Sequence, residues 1–562
     1  MEPDIGLGIE SGKETGFLES ATVLIIGNLI VKAIGAIFRI PLTNIIGEIG
    51  MSYYDFAFSL FSLVFVLSTS GIPVAVSKMM SESITLKRYG EAKRIFNIAM
   101  GVFAVVGAVL SVLMFFFARY YSNAVQSPGS YYSVLAISPS IFFATVMITY
   151  RGYFQGRQDM VPTAVSQIIE AAGKLFIGIS LAYIVLNGVS THYAINEEVP
   201  VEVLKSIERG SAFAILGVTA GSALGMVYMI LTKKFSKKRR MPEASAGEAL
   251  RPKKDLLKTI ISIAIPVTIS SSVLSITNMM DVVIVMNRLK AVGFTQEQAD
   301  FMNGSYRGMA LPLFNFPTAL VASLAVSVIP AIAAAKTRKN IKDINQNVET
   351  ALRIGMLIAI PAGLALSVMA NPILTLIFPS PERAAGVSIA TSLLMYSGIA
   401  SIWVNIVTLT NSSLQALNFV KIPLWSMLAG SIVKLVTNYI LVGIPEINIK
   451  GAPIGTNLCY LTIAIINIIA LKKHCNIKIN LNRTMLRPLV ISAIAVAAAW
   501  ASQGLIARVI SARLATLASV FIAIAIYAAL VLLMKALTRE DVLMLPKGAK
   551  IAAFLSKHGW LR

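Results

Sequence analysis

The chain has 562 residues, of which 56% are hydrophobic and only 14% are charged, whereas soluble proteins average about 25% charged residues. Its formal net charge is +22. These values exclude a disordered chain, a soluble nucleic-acid-binding protein and a disulfide scaffold, because a soluble basic protein needs a polar surface that this composition cannot build. The mean hydropathy of +0.75 indicates a protein that crosses a membrane many times.

Fourteen apolar runs are long enough to cross the bilayer as helices, which takes roughly 20 residues each. The runs are apolar on all sides, which excludes the alternating pattern of a transmembrane β-barrel. In chain order, spans 1 to 14 are predicted at residues 17–44, 52–79, 95–118, 131–155, 162–188, 211–232, 256–288, 304–335, 348–377, 386–416, 422–444, 452–471, 485–505 and 514–535.

Lys and Arg concentrate in the connections that follow even-numbered spans, and this bias sets the orientation of membrane proteins. The connections after spans 1, 3, 9 and 11 contain at most one basic residue each. The alternation predicts an even number of spans, with both termini cytoplasmic. The basic residues are Lys78, Lys87, Arg88, Lys93 and Arg94 after span 2, ten between Lys233 and Lys258 after span 6, Lys336, Arg338, Lys339 and Lys342 after span 8, and Lys472, Lys473, Lys478, Arg483 and Arg487 after span 12.

The two halves of the chain resemble each other. Gln155 and Gln415 lie 260 residues apart, as do Lys174 and Lys434, and Pro73 lies 257 residues before Pro330. Repeats of six spans insert the same way up, so the halves should be related by an axis along the membrane normal with a cavity between them. This architecture favours an alternating-access transporter over a channel.

The predicted fold is therefore all-α and polytopic, with two six-helix lobes and two additional C-terminal helices. The basic linker between the lobes is interpreted as a topology anchor that contacts anionic lipid, rather than as a nucleic-acid site. The predicted parts are an N-terminal cytoplasmic tail at 1–16, the N-lobe at 17–232, the linker at 233–255, the C-lobe at 256–471, spans 13 and 14 at 485–535, and a C-terminal cytoplasmic tail at 536–562.

Several ionisable residues fall within or beside predicted spans, where each costs about 2.5–3.5 kcal/mol on insertion scales and is therefore a functional candidate. The predicted substrate-binding cations are Lys32, Arg39, Lys174, Arg307 and Lys434. The predicted counter-charges, or groups that couple transport to an ion, are Asp55, Glu170 and Asp281.

Structural alternatives exist for most of these charges. Glu170 and Lys174 are four residues apart and could neutralise each other on one helix face. Asp55 and Arg307 could lie at the outer interface, with their charged groups in water. Lys32 and Arg39 are seven residues apart on one face and cannot neutralise each other, and Asp281 is a candidate counter-charge for this pair.

The excess of cations predicts a cavity that attracts an anionic group such as phosphate or pyrophosphate. An exporter of cationic drugs would instead be expected to place carboxylates in its site. The sequence contains no Walker A loop, no Gly-x-Ser-x-Gly and no paired-His zinc motif, so we expect a protein that is not an enzyme and holds no metal or cofactor. Na⁺, H⁺ or the membrane potential are the candidates for driving transport.

Two stretches resemble a known family. Arg151–Gly156, continued by Pro162–Glu170, is similar to the span 4–5 signature of the SpoVB-like polysaccharide transporters. The stretch Leu414–Leu417, followed by Pro423 and Lys434, resembles the corresponding part of spans 10–11. These transporters belong to the multidrug/oligosaccharidyl-lipid/polysaccharide (MOP) exporter superfamily, which also contains the MurJ lipid II flippases and the MATE drug exporters. The resemblance covers essentially the whole chain.

The resemblance implies a monomeric flippase in the bacterial cytoplasmic membrane that moves a polyprenyl-pyrophosphate-linked saccharide, foremost lipid II, to the outer leaflet. It implies that the headgroup is bound by first-span cations at Lys32 and Arg39 and by Arg307. It also implies that Asp55 matches an acidic residue at the start of span 2 and that spans 13–14 hold the lipid tail. The absence of basic residues from 60–73 departs from MurJ and favours the SpoVB-like branch.

Three alternatives remain open at this stage. One is a MATE-type, cation-coupled multidrug exporter. Another is a flippase for an O-antigen or exopolysaccharide precursor. The third is a membrane scaffold without transport activity, for which the charges within the spans would be dispensable.

Overall fold

The computed structural model describes residues 11–235, 250–338, 340–475 and 480–538, together with residues 553 and 556. Most of the predicted tails and of the linker lie outside these residues. The helices are α1 Ser11–Thr69, α2 Gly71–Thr85, α3 Tyr89–Ala124, α4 Tyr131–Ile137, α5 Ser140–Gly156, α6 Val161–Leu186, α7 Val201–Phe235, α8 Lys253–Ala291, α9 Gln296–Ser305, α10 Leu311–Thr337, α11 Ile341–Val368, α12 Ala370–Ile377, α13 Ala384–Ala416, α14 Lys421–Leu441, α15 Gly451–Cys475, α16 Arg487–Ile506 and α17 Ala512–Leu533.

All fourteen predicted spans fall on helices, and the described residues contain no β-strand. Twelve helical stretches in this part of the chain are long and apolar enough to cross a membrane. One of them, Ile26–Thr85, contains predicted span 2 and most of predicted span 1. Most of predicted span 8 lies on α10, which is outside the twelve. The chain is therefore an all-α, polytopic membrane protein, as its composition predicts.

The boundary between predicted spans 1 and 2 is a sharp bend inside α1. Gly47 has a φ of 68° and a ψ of −176° there, a conformation that residues with a Cβ rarely adopt. A Cβ at this position would also overlap the Thr191 carbonyl oxygen. The bend breaks the helix without a loop, which explains why helix assignment gives one element where hydropathy predicts two.

The connections gather at two ends of the helix bundle. We call the end that carries the connections after α2, α5, α7, α10, α13 and α15 the basic end. The other end, which we call the opposite end, carries the Gly47 bend and the connections after α3, α6, α8, α12 and α14. Contacts join connections within each end, such as the Arg251–Glu91 ion pair at the basic end and the Thr191–Ile45 hydrogen bond at the opposite end.

The largest buried apolar cluster joins helices of both predicted lobes. It includes Phe38, Tyr54 and Ala182 from the first half of the chain, and Met286 and Leu394 from the second. The C-terminal helix α16 packs on α11, and the Tyr527 hydroxyl of α17 donates to the Leu357 carbonyl at 2.6 Å. The large cluster packs α1, α8 and the start of α10 together around the charged residues described next.

Candidate functional site

A cavity of about 250 Å³ lies between the two halves of the chain and is lined by five of the eight predicted site residues. Helix α1 supplies two of them, and α8, α14 and a π-helical turn before α10, Tyr306–Ala310, supply one each. π-Helical turns are rare and occur frequently at functional sites. The five residues are Arg39, Asp55, Asp281, Arg307 and Lys434.

Asp55 lies between the two arginines. Its carboxylate is 3.2 Å from the Arg39 guanidinium and 2.9 Å from that of Arg307. Arg39 also donates to the Arg307 backbone carbonyl at 2.8 Å, and Arg307 donates to Asn303 at 3.2 Å. Asp55 is only 2% exposed. The alternative that places Asp55 and Arg307 in water at the outer interface is therefore wrong.

Asp281 has a partner of its own on the other side of the cavity. Its carboxylate is 3.0 Å from the Lys434 ammonium and accepts a hydrogen bond from Asn438, one helical turn further along α14. Asp281 thus neutralises Lys434, and the interpretation of Asp281 as the counter-charge of Lys32 and Arg39 is wrong. Asp55 has that role for Arg39.

A second cavity, of about 410 Å³, adjoins the first and extends towards the basic end between α1 and α10. Lys32 and Arg39 both line it, about 10 Å apart along the helix axis at 1.5 Å per residue. Its other lining residues are mainly apolar, including Phe316 and Leu320. Among the described residues, Lys32 forms no ion pair, so the cavity contains a cation without a counter-charge.

Lys174 and Glu170 lie outside both cavities, and they do not pair with each other. Glu170 accepts from Arg151 of α5 at 2.9 Å. The Lys174 ammonium instead lies 4.8 Å from the Phe38 ring centre and 4.6 Å from that of Phe58, within the range of a cation–π interaction. The alternative in which Glu170 and Lys174 neutralise each other is therefore wrong, because Glu170 forms a salt bridge to another helix and Lys174 is enclosed by aromatic rings.

The charges in the first cavity sum to +1, from three cations and two carboxylates. Lys32 in the adjoining cavity raises the sum to +2. Both carboxylates are already engaged by cations of the chain itself. The arrangement can therefore accept an anion with up to two charges without leaving an uncompensated carboxylate, whereas a cation would have to displace Lys434 or an arginine.

The opposite end is closed by polar contacts between the halves. Asp300 of α9 is fully buried and accepts hydrogen bonds from Ser52 at 3.1 Å and Ser127 at 3.0 Å. Asn303 also donates to Ser52, at 2.9 Å. We call Ser52, Ser127, Asp300 and Asn303 the latch. Beside it, a Cβ on Gly304 would overlap the Glu48 carbonyl oxygen, so the backbones of α1 and α9 are in direct contact.

A second polar cluster closes the same end. Arg383 donates to the Asn44 carbonyl at 2.8 Å and lies 2.7 Å from the His192 ring nitrogen. The other nitrogen of His192 is 3.7 Å from Glu48. With the latch, these contacts close the bundle on the far side of the site from Lys32, whereas the second cavity extends towards the basic end.

Sequence reasoning missed these latch and closure residues for a physical reason. Asp300, His192 and Arg383 lie in short connections or a polar helix between spans, where charges are ordinarily exposed. Glu48 lies in the interval between spans 1 and 2. A partial signal exists for Glu48 and Arg383, because the connections after spans 1 and 9 contain at most one basic residue each. No comparable sequence signal marks Asp300 or His192.

Asp300 makes the latch sensitive to pH. Burial, with a smaller contribution from the nearby Glu297, raises the pKa of Asp300 to about 7, although hydrogen bonds from Gln296, Ser127 and Ser52 act to lower it. Since the folded state holds this proton more tightly than the unfolded state, the free energy of unfolding falls as pH rises from about 4 to about 7. We expect Asp300→Asn to remove up to about 4 kcal/mol of this pH dependence.

Thermal unfolding of wild type and Asp300→Asn between pH 4 and pH 8 checks this expectation. The difference in melting temperature should shift in favour of the variant as pH rises. Glu202→Gln, at an exposed acidic residue near the same end, is the matched control and should follow the wild type. Parallel pH profiles of wild type and Asp300→Asn would contradict it.

Comparison with known families agrees with this architecture. The model of the polysaccharide biosynthesis protein family matches residues 17–336, more than half of the chain. The MatE family model matches residues 307–440. The second match covers the π-helical turn, α10 and most of α14, and so falls on the second of the two repeated halves.

Individual relatives cover most of the chain. Stage V sporulation protein B of Bacillus subtilis is 24% identical over 441 residues, which are 78% of this chain and 80% of the relative. The lipid II flippase MurJ of the same organism is 24% identical over 492 residues, 85% of this chain and 86% of the relative.

Solved structures share the fold. A structure of the lipid II flippase MurJ in an inward closed conformation has a TM-score of 0.65 at 17% identity, covering 92% of this chain and 98% of that one. An inward-facing multidrug resistance MATE transporter has a TM-score of 0.62 at 14% identity, covering 78% and 98%. With the family match over residues 17–336, these findings show that the chain belongs to the polysaccharide biosynthesis protein family and, as its spans 4–5 and 10–11 predict, to the SpoVB- and MurJ-like part of the MOP exporter superfamily.

Proposed function

We propose that this protein is a flippase that moves a polyprenyl-pyrophosphate-linked saccharide across the bacterial cytoplasmic membrane. The observation that carries the proposal is the buried cavity in which Arg39, Arg307 and Lys434 outnumber Asp55 and Asp281. No enzymatic step is assigned to it. Lipid II is the specific cargo we favour, because the MurJ relative is a lipid II flippase.

The charge of such a cargo matches the site. A pyrophosphate that links a lipid to a sugar carries two ionised oxygens, and the two cavities together carry a charge of +2. Guanidinium groups bind phosphate oxygens with two parallel hydrogen bonds. Arg39 and Arg307 are close enough to share one acceptor, because both already contact Asp55. We assign the pyrophosphate to these two arginines, with Lys32 at the approach.

In this proposal, Asp55 and Asp281 neutralise the cations of the site while no cargo is bound. When the site is empty, each carboxylate neutralises cations that would otherwise be buried and unpaired, which is costly. When the pyrophosphate arrives, it competes with Asp55 for the two guanidinium groups. Lys434 and Lys174 are assigned to shaping the field of the site, because the first is paired with Asp281 and the second is enclosed by aromatic rings.

Transport follows an alternating-access cycle in this proposal. In the conformation described, the latch closes the opposite end and the larger cavity extends towards the basic end, which the distribution of Lys and Arg assigns to the cytoplasm. Loading of the headgroup there is followed by opening of the latch. A membrane potential that is negative inside favours outward movement of the anionic headgroup by about 2.3 kcal/mol per charge per 100 mV.

The polyprenyl tail is proposed to remain in the lipid phase. The gap between α1 and α10 has apolar residues such as Phe316 and Leu320 beside the basic cavity, so a headgroup can enter while its tail stays outside. We propose that the tail lies along the surface of α16 and α17, the last two helices of the chain. Because both ends of the cargo are accommodated by one chain, a monomer suffices.

A cation-coupled drug exporter is the second candidate, supported by the MatE match over residues 307–440. The charge of the site argues against it. Among the described residues that line the first cavity, neither carboxylate is without a cationic partner. A cationic drug would therefore meet a cavity of its own sign.

A binding panel tests the proposed cargo class. Purified protein is titrated with lipid II, undecaprenyl pyrophosphate, undecaprenyl monophosphate and a cationic dye, and thermal stabilisation is measured. We expect stabilisation by both pyrophosphate lipids, less by the monophosphate and none by the dye. Stabilisation by the dye alone would favour the drug exporter. Equal stabilisation by lipid II and undecaprenyl pyrophosphate would locate recognition at the pyrophosphate rather than the sugar.

Asp55→Asn is expected to lower the stability of the protein and to raise its affinity for the pyrophosphate lipid. The variant leaves Arg39 and Arg307 without their shared carboxylate, so we expect it to lower the free energy of unfolding by about 3–5 kcal/mol. It should also bind undecaprenyl pyrophosphate more tightly than the wild type, because the competing anion is gone. Chemical denaturation and the same titration measure the two effects. Weaker binding by a folded Asp55→Asn variant would remove Asp55 from its assigned role.

A further inference from the structure

A third basic cavity lies at the basic end, away from the transport site. It has a volume of about 330 Å³ and lies between the first turns of α3 and α8. Three of its six lining residues are cations and none is acidic. The six are Gly90, Lys93, Arg94, Asn97, Ile98 and Lys253.

The charges of this cavity are not neutralised within the described part of the chain. Lys93, Arg94 and Lys253 form no ion pair with a described acidic residue. Two acidic residues lie close in sequence, Glu91 and Asp255. Glu91 is 1% exposed and is engaged by Arg251 at 2.8 Å and by the Ser83 hydroxyl at 2.8 Å. Asp255, in the first turn of α8, does not line the cavity. The residues that line the cavity therefore carry a charge of +3, and no ion pair with a described carboxylate compensates it.

The backbone adds to this positive potential. Helix α3 begins at Tyr89 and helix α8 at Lys253, so two long helices direct their N-termini, which carry partial positive charge, at the same place. Arg94 is held by a hydrogen bond of 3.0 Å to the Arg251 carbonyl. The cations are thus partly positioned before any anion binds.

The depth of the cavity indicates where its ligand comes from. Lys93 and Arg94 directly precede the apolar run 95–118, and Lys253 precedes the run 256–288. Ile98, one turn further into the apolar part of α3, lines the inner wall. The cavity therefore straddles the boundary between water and hydrocarbon on both helices, which is the depth of a phospholipid headgroup.

We propose that this cavity binds the phosphate of an anionic phospholipid headgroup. Basic pockets between transmembrane helices are suited to such headgroups. Because Lys93 and Arg94 belong to the first half of the chain and Lys253 to the second, one bound headgroup bridges the two halves at the basic end. The bound lipid would hold the start of α3 against the start of α8 and so stabilise the conformation described.

The test uses the full chain in vesicles of phosphatidylcholine with or without phosphatidylglycerol. We expect phosphatidylglycerol to stabilise the wild type against thermal unfolding and the triple variant Lys93→Gln, Arg94→Gln, Lys253→Gln to lose this effect. The affinity for the lipid should fall on the order of 100-fold, since each Lys or Arg near an anionic surface contributes about fivefold. The matched control removes three exposed basic-end lysines elsewhere, Lys342→Gln, Lys421→Gln and Lys472→Gln.

Several outcomes decide the proposal. The double variant Lys93→Gln, Lys253→Gln keeps the Arg94–Arg251 contact and should lose part of the lipid effect while folding as the wild type does. Equal loss in the control triple variant would overturn a specific site. Equal binding of soluble glycerol phosphate would overturn a lipid source, and preferential binding of undecaprenyl pyrophosphate at this site would reassign it to the cargo. Phosphatidylglycerol binding is measured without transport. A negative result would therefore overturn the lipid site without bearing on the proposed flippase function.

Discussion

Arg39→Gln is expected to lower leaflet exchange of lipid II by about 30-fold or more, since loss of one partner in a buried, hydrogen-bonded charge pair costs about 2 kcal/mol or more. The variant should still fold. Arg307 remains 2.9 Å from Asp55, so the carboxylate keeps a cationic partner when Arg39 is removed. The neutral glutamine keeps a polar group on α1 but brings no charge to the pyrophosphate.

The measurement compares exchange rates in proteoliposomes that contain equal amounts of folded protein. Arg338→Gln is the matched control, because Arg338 is an exposed arginine at the basic end that pairs with Asp343 at 4.0 Å and lines neither cavity. We expect the control to exchange lipid II at the wild-type rate. Unchanged exchange of lipid II in folded Arg39→Gln would contradict a role for the cationic cavity in transport.

Gly304→Val should stop transport by preventing closure of the opposite end. In the conformation described, the glycine backbone contacts the Glu48 carbonyl, and a Cβ there would overlap that oxygen. Adding side-chain volume to such a contact costs about 1–3 kcal/mol or more, and this cost falls only on the closed state. We expect the variant to populate the open state and to exchange lipid II at least tenfold more slowly, on the assumption that each cycle includes closure.

Thiol labelling separates this effect from misfolding. A Ser127→Cys substitution places a thiol in the latch, where Ser127 is fully buried in the closed state. The thiol should be shielded in an otherwise wild-type chain and react readily when Gly304→Val is added. Gly101→Val is the matched control, because a Cβ at Gly101 meets no described atom within 4 Å. A shielded latch thiol in a folded Gly304→Val protein would show that this contact does not control closure.

The membrane helices could be predicted from sequence because the bilayer imposes a strict length and polarity on each one. Every predicted span falls on a helix, and the main difference is at Gly47, where a bend replaces the expected connection. Arg39, Asp55, Asp281, Arg307 and Lys434 could be selected one by one because each is costly within a membrane. Their convergence on one cavity is a result of the structure.

The pairing of these charges could not be predicted in the same way. Spacing along a helix favours Glu170 with Lys174, but the actual partner, Arg151, comes from a neighbouring helix. Asp281 and Lys434 are 153 positions apart in the sequence, and no local rule links them. Side-chain pairing between helices depends on their rotation and relative height, which hydropathy does not contain.

The direct test of the central claim is a two-substrate assay in one set of proteoliposomes. Wild-type protein is reconstituted, and leaflet exchange of fluorescent lipid II and export of a cationic dye are followed in parallel, with empty vesicles as the baseline. We expect protein-dependent exchange of lipid II, or of another polyprenyl-pyrophosphate-linked sugar used in its place, and no movement of the dye. Dye export without exchange of any pyrophosphate-linked lipid would contradict it.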